Sequence, residues 1–160
     1  MWFSWPRDTE RSTLVQQRRL APTFREPFKH RRCLIPVNGF YEWHTTATGK
    51  QPYFITLQSG PVMAFAAVYD RWKSPTDEVI ESFAIATCEP NEMMARIHDR
   101  MPVILDETQW VEWLAPEPSL DRVQELMAPY PAELMRMQKV SKRVGNSRNE
   151  GPDLIEPLTE

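Results

Sequence analysis

Short apolar runs separated by glycine, proline and charged residues predict a sheet built from many short strands. The first run is followed by Asn38-Gly39, a dipeptide typical of tight turns, and extended character resumes at Phe40. The runs with strand character are residues 33–37, 40–44, 53–57, 62–69, 82–88, 103–105 and 134–139. Because short strands that follow one another through tight turns pair with their neighbours, we expect a largely antiparallel sheet.

Helical periodicity is confined to short segments that flank these strands. The predicted helices run from Pro22 to Phe28, from Pro90 to His98, from the capping residue Asp106 to Leu114, and from the capping residue Ser119 to Met127. Fifteen prolines make long uninterrupted helices improbable. The pattern therefore predicts an α+β fold, with a mixed, mostly antiparallel sheet and short flanking helices.

A chain of 160 residues that is 41% hydrophobic is large enough for one domain with its own apolar core. No apolar run reaches the roughly 18 residues that cross a bilayer, and the N-terminal residues lack the apolar stretch of a secretory signal. We therefore expect a cytoplasmic protein with no membrane partner. Cys33 and Cys88 are too isolated for a disulfide framework or a zinc knuckle, so we expect two small buried hydrophobic residues, no metal and no cofactor.

The formal net charge of −3 argues against general coating of nucleic acid, but the basic residues are concentrated in two segments. Residues 1–32 carry eight Lys and Arg against three acids, and residues 139–148 carry four with no acid. If the fold brings these segments together, they form a groove for a phosphate backbone. If it does not, they are ordinary solvated surface, and charge alone leaves both interpretations open.

Glu42 is a lone acid among aromatic residues in a predicted strand. Alternation places it on the same face as Phe40 and His44, opposite Tyr41 and Trp43. Desolvation on that face would raise the pKa of the carboxyl group and suit it to proton transfer. Exposure would leave an ordinary surface glutamate, and the strand pattern alone does not decide between the two.

The run His98-Asp99-Arg100 places an imidazole, a carboxylate and a guanidinium in one predicted turn, where functional residues are common. The alternative is a capping histidine beside a local ion pair. Thr87 ends a predicted strand, and it and Trp43 are by themselves ordinary strand and core residues. The sequence contains no Walker, Rossmann or HExxH motif, so any function must come from scattered residues such as these.

Four blocks of this sequence form an ordered set. They are PTFR, FK and RRCLIP within 22–36, NGFYEW at 38–43, HDRMPVIL at 98–105, and VGNSRN at 144–149 with LIEP at 154–157. In this order and spacing they resemble the SOS-response-associated peptidase (SRAP) family, the abasic-site processing proteins. The resemblance covers residues 22–157, so we predict an SRAP-like domain over 22–160 that is preceded by a non-matching segment at 1–21.

The resemblance implies a strongly bent sheet and a groove that holds single-stranded DNA at an abasic site. It implies that Glu42 is the proton-transfer carboxylate, that His98 assists Schiff-base chemistry, and that Trp43, Thr87 and Arg100 bind the DNA. In the family, a cysteine directly after the initiator Met attacks the sugar aldehyde through its α-amine, and its thiol then closes a thiazolidine crosslink. The implied activities are those of a thiol autopeptidase, a hydrolase, and of an abasic-site lyase in the DNA damage response.

The sequence departs from the family at its start, where Trp2 stands in place of the cysteine and the family's Asn-Ala-Arg stretch is missing. Two explanations are open: an upstream segment carries the cysteine, or the chain is a degenerate homologue that kept the groove. We predict abasic-site crosslinking and Schiff-base chemistry in single-stranded DNA, with a non-catalytic single-stranded DNA binding module as the alternative. A Glu/His hydrolase of small substrates is a third hypothesis. We expect a monomer that associates with the nucleoid when bound to DNA.

Overall fold

The computed structural model describes residues 22–117 and 119–158, so the predicted segment 1–21 lies outside the described residues. Within that range the chain forms nine strands. They are β1 (Arg32–Val37), β2 (Phe40–Thr46), β3 (Gly49–Leu57), β4 (Met63–Lys73), β5 (Val79–Ile85), β6 (Thr87–Cys88), β7 (Met101–Pro102), β8 (Ile104–Leu105) and β9 (Met135–Lys139).

Every pairing between these strands is antiparallel, which confirms the predicted mixed fold. The strands form three sheets: β1–β4–β5 with β8 added to β4, then β2–β3–β9, and the small pair β6–β7. Three α-helices flank them, α1 (Pro22–His30), α2 (Glu107–Leu114) and α3 (Leu120–Glu125). The first and second sheets share one apolar core, which includes Phe65 from β4 and Ile55 from β3.

The dipeptide Asn38-Gly39 is a corner between two sheets, and not a hairpin turn within one. β1 pairs with β4, whereas β2 pairs with β3, so the chain changes sheets at this point. A Cβ atom on Gly39 would lie 2.5 Å from Cζ of Phe54 and 2.6 Å from the carbonyl oxygen of Ile55, so only glycine allows this close approach. The side-chain amide of Asn38 donates to the Pro61 carbonyl at 2.8 Å and holds the corner in place.

Several predicted elements differ from the observed ones. The helix expected from Pro90 to His98 is a single 3₁₀ turn at Met94–Arg96, because the Asn91 side chain accepts from the Met94 N–H and donates to the Tyr130 carbonyl. The helix that follows Ser119 ends at Glu125. The strand expected at 82–88 is interrupted between β5 and β6.

The hairpin of β4 and β5 is longer than its hydrophobic pattern predicts. β4 continues four residues beyond Tyr69 to Lys73, and β5 begins at Val79. The outer half lies in solvent, where burial cannot impose an alternating pattern. Arg71 faces Glu81 across the strands, at 3.5 Å between Nε and Oε1, and such opposite-charge pairs support an exposed ladder.

Arg32 at the start of β1 connects both larger helices to the sheet. Its guanidinium donates to the carbonyls of Phe28 (2.7 Å) and Lys29 in the last turn of α1. It also donates to the carbonyls of Trp113 (2.7 Å) and Ala115 at the end of α2. These carbonyls have no partner within their helices, so one buried cation satisfies the C-terminal ends of two helices. Burial lowers the pKa of Arg32, but a guanidinium stays charged.

We expect Arg32→Lys to lower the free energy of unfolding by about 2 kcal/mol, because an ammonium group has three donors and cannot match the planar guanidinium fork. Urea denaturation followed by circular dichroism measures the change. Arg71→Lys is the matched control, since the exposed Arg71–Glu81 pair should contribute less than about 1 kcal/mol. Equal losses in the two variants would contradict a special role for Arg32.

Candidate functional site

Glu42 lies where one face of the β2–β3–β9 sheet changes from apolar to polar. Successive rows of side chains on this face are Phe40–Ile55–Met137, Glu42–Tyr53–Lys139 and His44–Gln51. The first row belongs to the core: Ile55 is fully buried, and the Phe40 ring packs edge-on against Phe65 at 5.6 Å between centroids. The last row is polar, so the carboxyl group of Glu42 stands at the margin of the core.

This position perturbs the protonation of Glu42. Desolvation raises the pKa of the carboxyl group, and the nearby charge of Asp99 adds to that effect. The charge of His98 and a backbone hydrogen bond with Trp43 oppose the rise in pKa without cancelling it. The charges of His98 and Asp99 both act on the Glu42 carboxyl group, so the fold brings an acid and an imidazole from distant parts of the sequence within electrostatic range of each other.

His98 follows the 3₁₀ turn Met94–Arg96, and its N–H donates to the Met94 carbonyl at 2.9 Å. Nδ1 of its ring lies 3.0 Å from both the N–H and the carbonyl oxygen of Arg100, and 3.3 Å from Oδ1 of Asp99. When Nδ1 carries no proton it accepts from the Arg100 N–H, and when it is protonated it donates to the carbonyl or to Asp99. Both protonation states of Nδ1 are thus accommodated without moving the ring.

An open cleft of about 390 Å³ lies beside this pair. Its lining residues are His44, Thr45, Pro90, Ala95, Arg96, Ile97, His98 and Asp99. Glu42 is not part of the lining, but His98 and Asp99, whose charges act on its carboxyl group, both are. A half-buried carboxyl group with a raised pKa next to an imidazole at the edge of a cleft can donate and accept protons during a reaction there.

Arg100 and Thr87 form a second unit on the far side of the turn. The Nη2 group of Arg100 donates to the Thr87 carbonyl at 2.6 Å and to its hydroxyl at 3.0 Å. Thr87 is only 5% exposed, so its hydroxyl group orients the Arg100 guanidinium from the buried side. Nε of Arg100 is buried and has no hydrogen-bond acceptor among residues 22–117 and 119–158. The contacts with Thr87 use Nη2, so Nη1 is the donor group left over.

Trp43 lies on the other face of β2. Its ring is 6.4 Å from that of Tyr41, which in turn packs at 5.1 Å against Phe54. Trp43 is half-buried, and it forms an aromatic surface with these neighbours. Of the predicted site residues, the structure therefore brings Glu42 and His98 together, joins Arg100 to Thr87, and places Trp43 across the sheet from Glu42.

The predicted basic groove is only partly supported within the described range. Arg32 is bound to carbonyls inside the fold, Arg31 faces Asp70 at 3.3 Å, and Arg143 pairs with Asp153. These three cations therefore have partners already, and the basic residues of 1–21 lie outside the described part. A count of charged residues in the sequence does not reveal which charges have partners in the fold.

Both cysteines are poor nucleophiles. Burial raises the pKa of the Cys33 thiol, and burial raises the pKa of the Cys88 thiol to about 11 despite the nearby charge of Arg100. The thiolate, which is the reactive form, is therefore scarce at neutral pH for both residues. Cys88 is buried as expected, whereas Cys33 is only half-buried.

Two cleft residues, His44 and Arg96, were not singled out from the sequence. Alternation along β2 already places His44 on the face of Glu42, and this was the available signal. Arg96 carried no signal in the sequence, because its position depends on the 3₁₀ turn.

The described residues contain no group of three or more His, Cys, Asp or Glu side chains able to hold a metal ion. None of the helices described is long and apolar enough to cross a membrane.

The fold and the site define a class of protein first: a mixed α/β domain of antiparallel sheets with a carboxyl–imidazole pair beside an open cleft. Comparison of the sequence with known families then identifies it. The chain belongs to the SOS response associated peptidase (SRAP) family, whose sequence profile matches residues 10–147.

Individual relatives agree with this assignment. The chain is 42% identical over 137 residues to abasic site processing protein YoqW of Bacillus subtilis, covering 84% of this chain and 61% of YoqW. It is 30% identical over 156 residues to abasic site processing protein YedK of Escherichia coli, covering 96% of this chain and 70% of YedK. The chain thus spans about three fifths of the Bacillus protein.

Solved structures share the fold. A crystal structure of a protein from Bacteroides thetaiotaomicron matches with a TM-score of 0.82 at 31% identity, covering 87% of this chain and 62% of that one. A protein from Bordetella bronchiseptica matches with a TM-score of 0.68 at 26% identity, covering 74% and 59%.

The coupling around Glu42 predicts opposite effects of two substitutions on its pKa. His98→Ala removes an opposing positive charge and should raise the pKa of Glu42 further, whereas Asp99→Asn removes a negative charge and should lower it. Nuclear magnetic resonance of the carboxyl carbon across a pH titration measures both. Shifts of the same sign in the two variants would contradict the proposed arrangement of charges.

The contact between Thr87 and Arg100 predicts a measurable coupling. Thr87→Val keeps the volume and the backbone carbonyl but removes the hydroxyl acceptor, so the free energy of unfolding should fall by about 1–2 kcal/mol. Thr87→Ser keeps the hydroxyl and is the control. In the Arg100→Gln background the additional effect of Thr87→Val should shrink, and full additivity in this double-mutant cycle would show that the two side chains act independently.

Proposed function

We propose that this chain processes abasic sites in single-stranded DNA through a Schiff base, with Glu42 and His98 as the proton-transfer residues. The observation that carries the proposal is a carboxyl group of raised pKa at the core margin, within electrostatic range of an imidazole that lines an open cleft. Membership of the SRAP family supports it, as do the names of the relatives, which are abasic site processing proteins.

The chemistry suits such a pair. The nitrogen lone pair of an N-terminal α-amine attacks the C1′ aldehyde of the ring-opened sugar and gives a carbinolamine. Loss of its hydroxyl group as water then gives the imine, and this step needs a proton at the departing oxygen. A protonated Glu42 donates that proton, and His98 removes the surplus proton from nitrogen. Because the pKa of Glu42 is raised, more of it is in the acid form than for a surface glutamate.

The remaining site residues fit a role in holding the strand. The contacts of Arg100 with Thr87 use Nη2, so Nη1 has donors left for a phosphate oxygen. In this proposal Thr87 positions Arg100 and does not itself touch the DNA. Trp43 offers a stacking surface for an unpaired base that reaches the other face of the sheet.

A second candidate function, binding of single-stranded DNA without a stable crosslink, is favoured by the state of the thiols. A thiazolidine requires a reactive thiol next to the imine, and burial raises the pKa of both Cys33 and Cys88. The two functions differ in one observable, the covalent intermediate.

The test is to incubate the purified chain with a single-stranded oligonucleotide that contains one abasic site, with and without borohydride, and to separate the products on denaturing gels. The proposal predicts an adduct in the presence of borohydride, which reduces an imine to a stable amine. Glu42→Gln should slow its formation by about 100-fold, since general acid–base catalysis is worth at least that much. His98→Ala should act in the same direction.

Matched controls exist on the surface. Glu81→Gln makes the same change on the exposed hairpin, and His30→Ala removes an exposed imidazole from α1. Both should leave the rate of adduct formation unchanged. If Glu42→Gln and Glu81→Gln behave alike, Glu42 is not the proton donor. If no adduct forms but the oligonucleotide is retarded on native gels, the binding function replaces the catalytic one.

A further inference from the structure

We propose that Arg96 and His44 form a binding subsite for one backbone phosphate of the DNA strand, at the mouth of the cleft beside the Glu42–His98 pair. This inference rests on the proposed function, because it names the part of the substrate that the cleft would hold. Neither residue is among the site residues that the sequence predicted. Both line the same cleft as His98.

The two residues reach the cleft from separate elements. His44 lies on β2, two positions beyond Glu42 and on the same face of the sheet. Arg96 ends the 3₁₀ turn that leads to His98. Each is thus placed by the same element as one member of the acid–imidazole pair, so a group bound between them is held in a fixed position relative to that pair.

Arg96 is exposed and has no ion-pair partner among the residues described. Three other exposed arginines are paired, Arg71 with Glu81, Arg122 with Glu112, and Arg143 with Asp153. Arg136 and Arg148 are exposed and have no ion-pair partner among the described residues either, but they do not line the cleft. An unpaired guanidinium in a concave site is available to an anion, and its planar fork matches two phosphate oxygens. The charge of Arg96 is therefore free to act on a ligand.

The other lining residues of the cleft favour binding of one anion over binding of a cation. Asp99 is the one acid in the lining, and its carboxylate lies 3.3 Å from Nδ1 of His98. Thr45 contributes a hydroxyl group, while Pro90, Ala95 and Ile97 offer an apolar wall against which a sugar can rest. Glu89 and Glu92 precede the turn in sequence but do not line the cleft.

The salt dependence of DNA binding tests the subsite. Binding of a single-stranded abasic oligonucleotide is measured by fluorescence anisotropy over a range of salt concentrations, for the unaltered chain and for Arg96→Gln. Loss of one phosphate contact should reduce the slope of log K against log salt by about 0.7. Affinity at low salt should fall by about five- to tenfold. His44→Gln should weaken binding in the same direction but by less.

The matched control is Arg71→Gln, which removes the same charge from the distant hairpin and should leave the slope unchanged. A second arm uses oligonucleotides in which one phosphate at a time, on either side of the lesion, is replaced by a neutral methylphosphonate. One replacement should weaken binding by the unaltered chain and have no further effect on Arg96→Gln. That pattern identifies the phosphate that Arg96 contacts.

The outcomes separate this inference from the proposed function. If the unaltered chain neither binds the oligonucleotide nor forms an adduct, the proposed function fails. If it binds and Arg96→Gln gives the same slope as Arg71→Gln, only the subsite is overturned. A third arm titrates inorganic phosphate as a competitor at constant ionic strength. If Arg96→Gln changes competition by inorganic phosphate as strongly as it changes DNA binding, the site takes free anions and the inference is wrong.

Discussion

The buried guanidinium of Arg32 is the contact on which the arrangement of the other elements depends. It is bound to four backbone carbonyls, two at the end of α1 and two at the end of α2, and it starts the strand β1. Trp113, at the end of α2, strengthens the same junction through its indole N–H, which donates to the Cys33 carbonyl at 2.9 Å, and through edge-on packing against Phe28. β1 is thereby fixed against two helices before it reaches the corner that leads to the site.

The corner at Gly39 carries this rigidity into the second sheet. Because the Phe54 ring lies directly over Gly39, the direction in which β2 leaves the corner is determined by close packing. β2 then runs outward from the core. On the face that carries Glu42, its side chains change from the apolar Phe40 to the polar His44. Glu42 has its raised pKa because it occupies the middle of that gradient. Moving the strand by one residue would place it on the aromatic face instead.

The sequence was informative wherever a local rule decides the structure. Asp106 caps α2 as predicted, with its N–H donating to the Gln109 side chain at 2.9 Å, and alternation correctly separated Glu42 from Trp43. It failed where distant residues decide. That β1 and β2 lie in different sheets depends on β3 and β4, and the loss of the helix before His98 depends on the contact between Asn91 and Tyr130. The family resemblance supplied the pairing of Glu42 with His98, which no periodicity could have indicated.

The arginines explain why a count of basic residues was a weak guide to function in this chain. The Arg32 guanidinium is hydrogen-bonded to helix carbonyls, and Arg143 forms an ion pair with a carboxylate. Arg100 is bound to Thr87 through Nη2 and, within the described residues, makes no such contact through Nη1, and Arg96 has no ion-pair partner in that range. A guanidinium whose donors are already satisfied within the fold gains little from a ligand, since binding would only exchange one set of hydrogen bonds for another. Arg96 and Arg100 are two of the arginines with unused donors, and they are the two that lie within two residues of His98, where the proposed function places an anionic substrate.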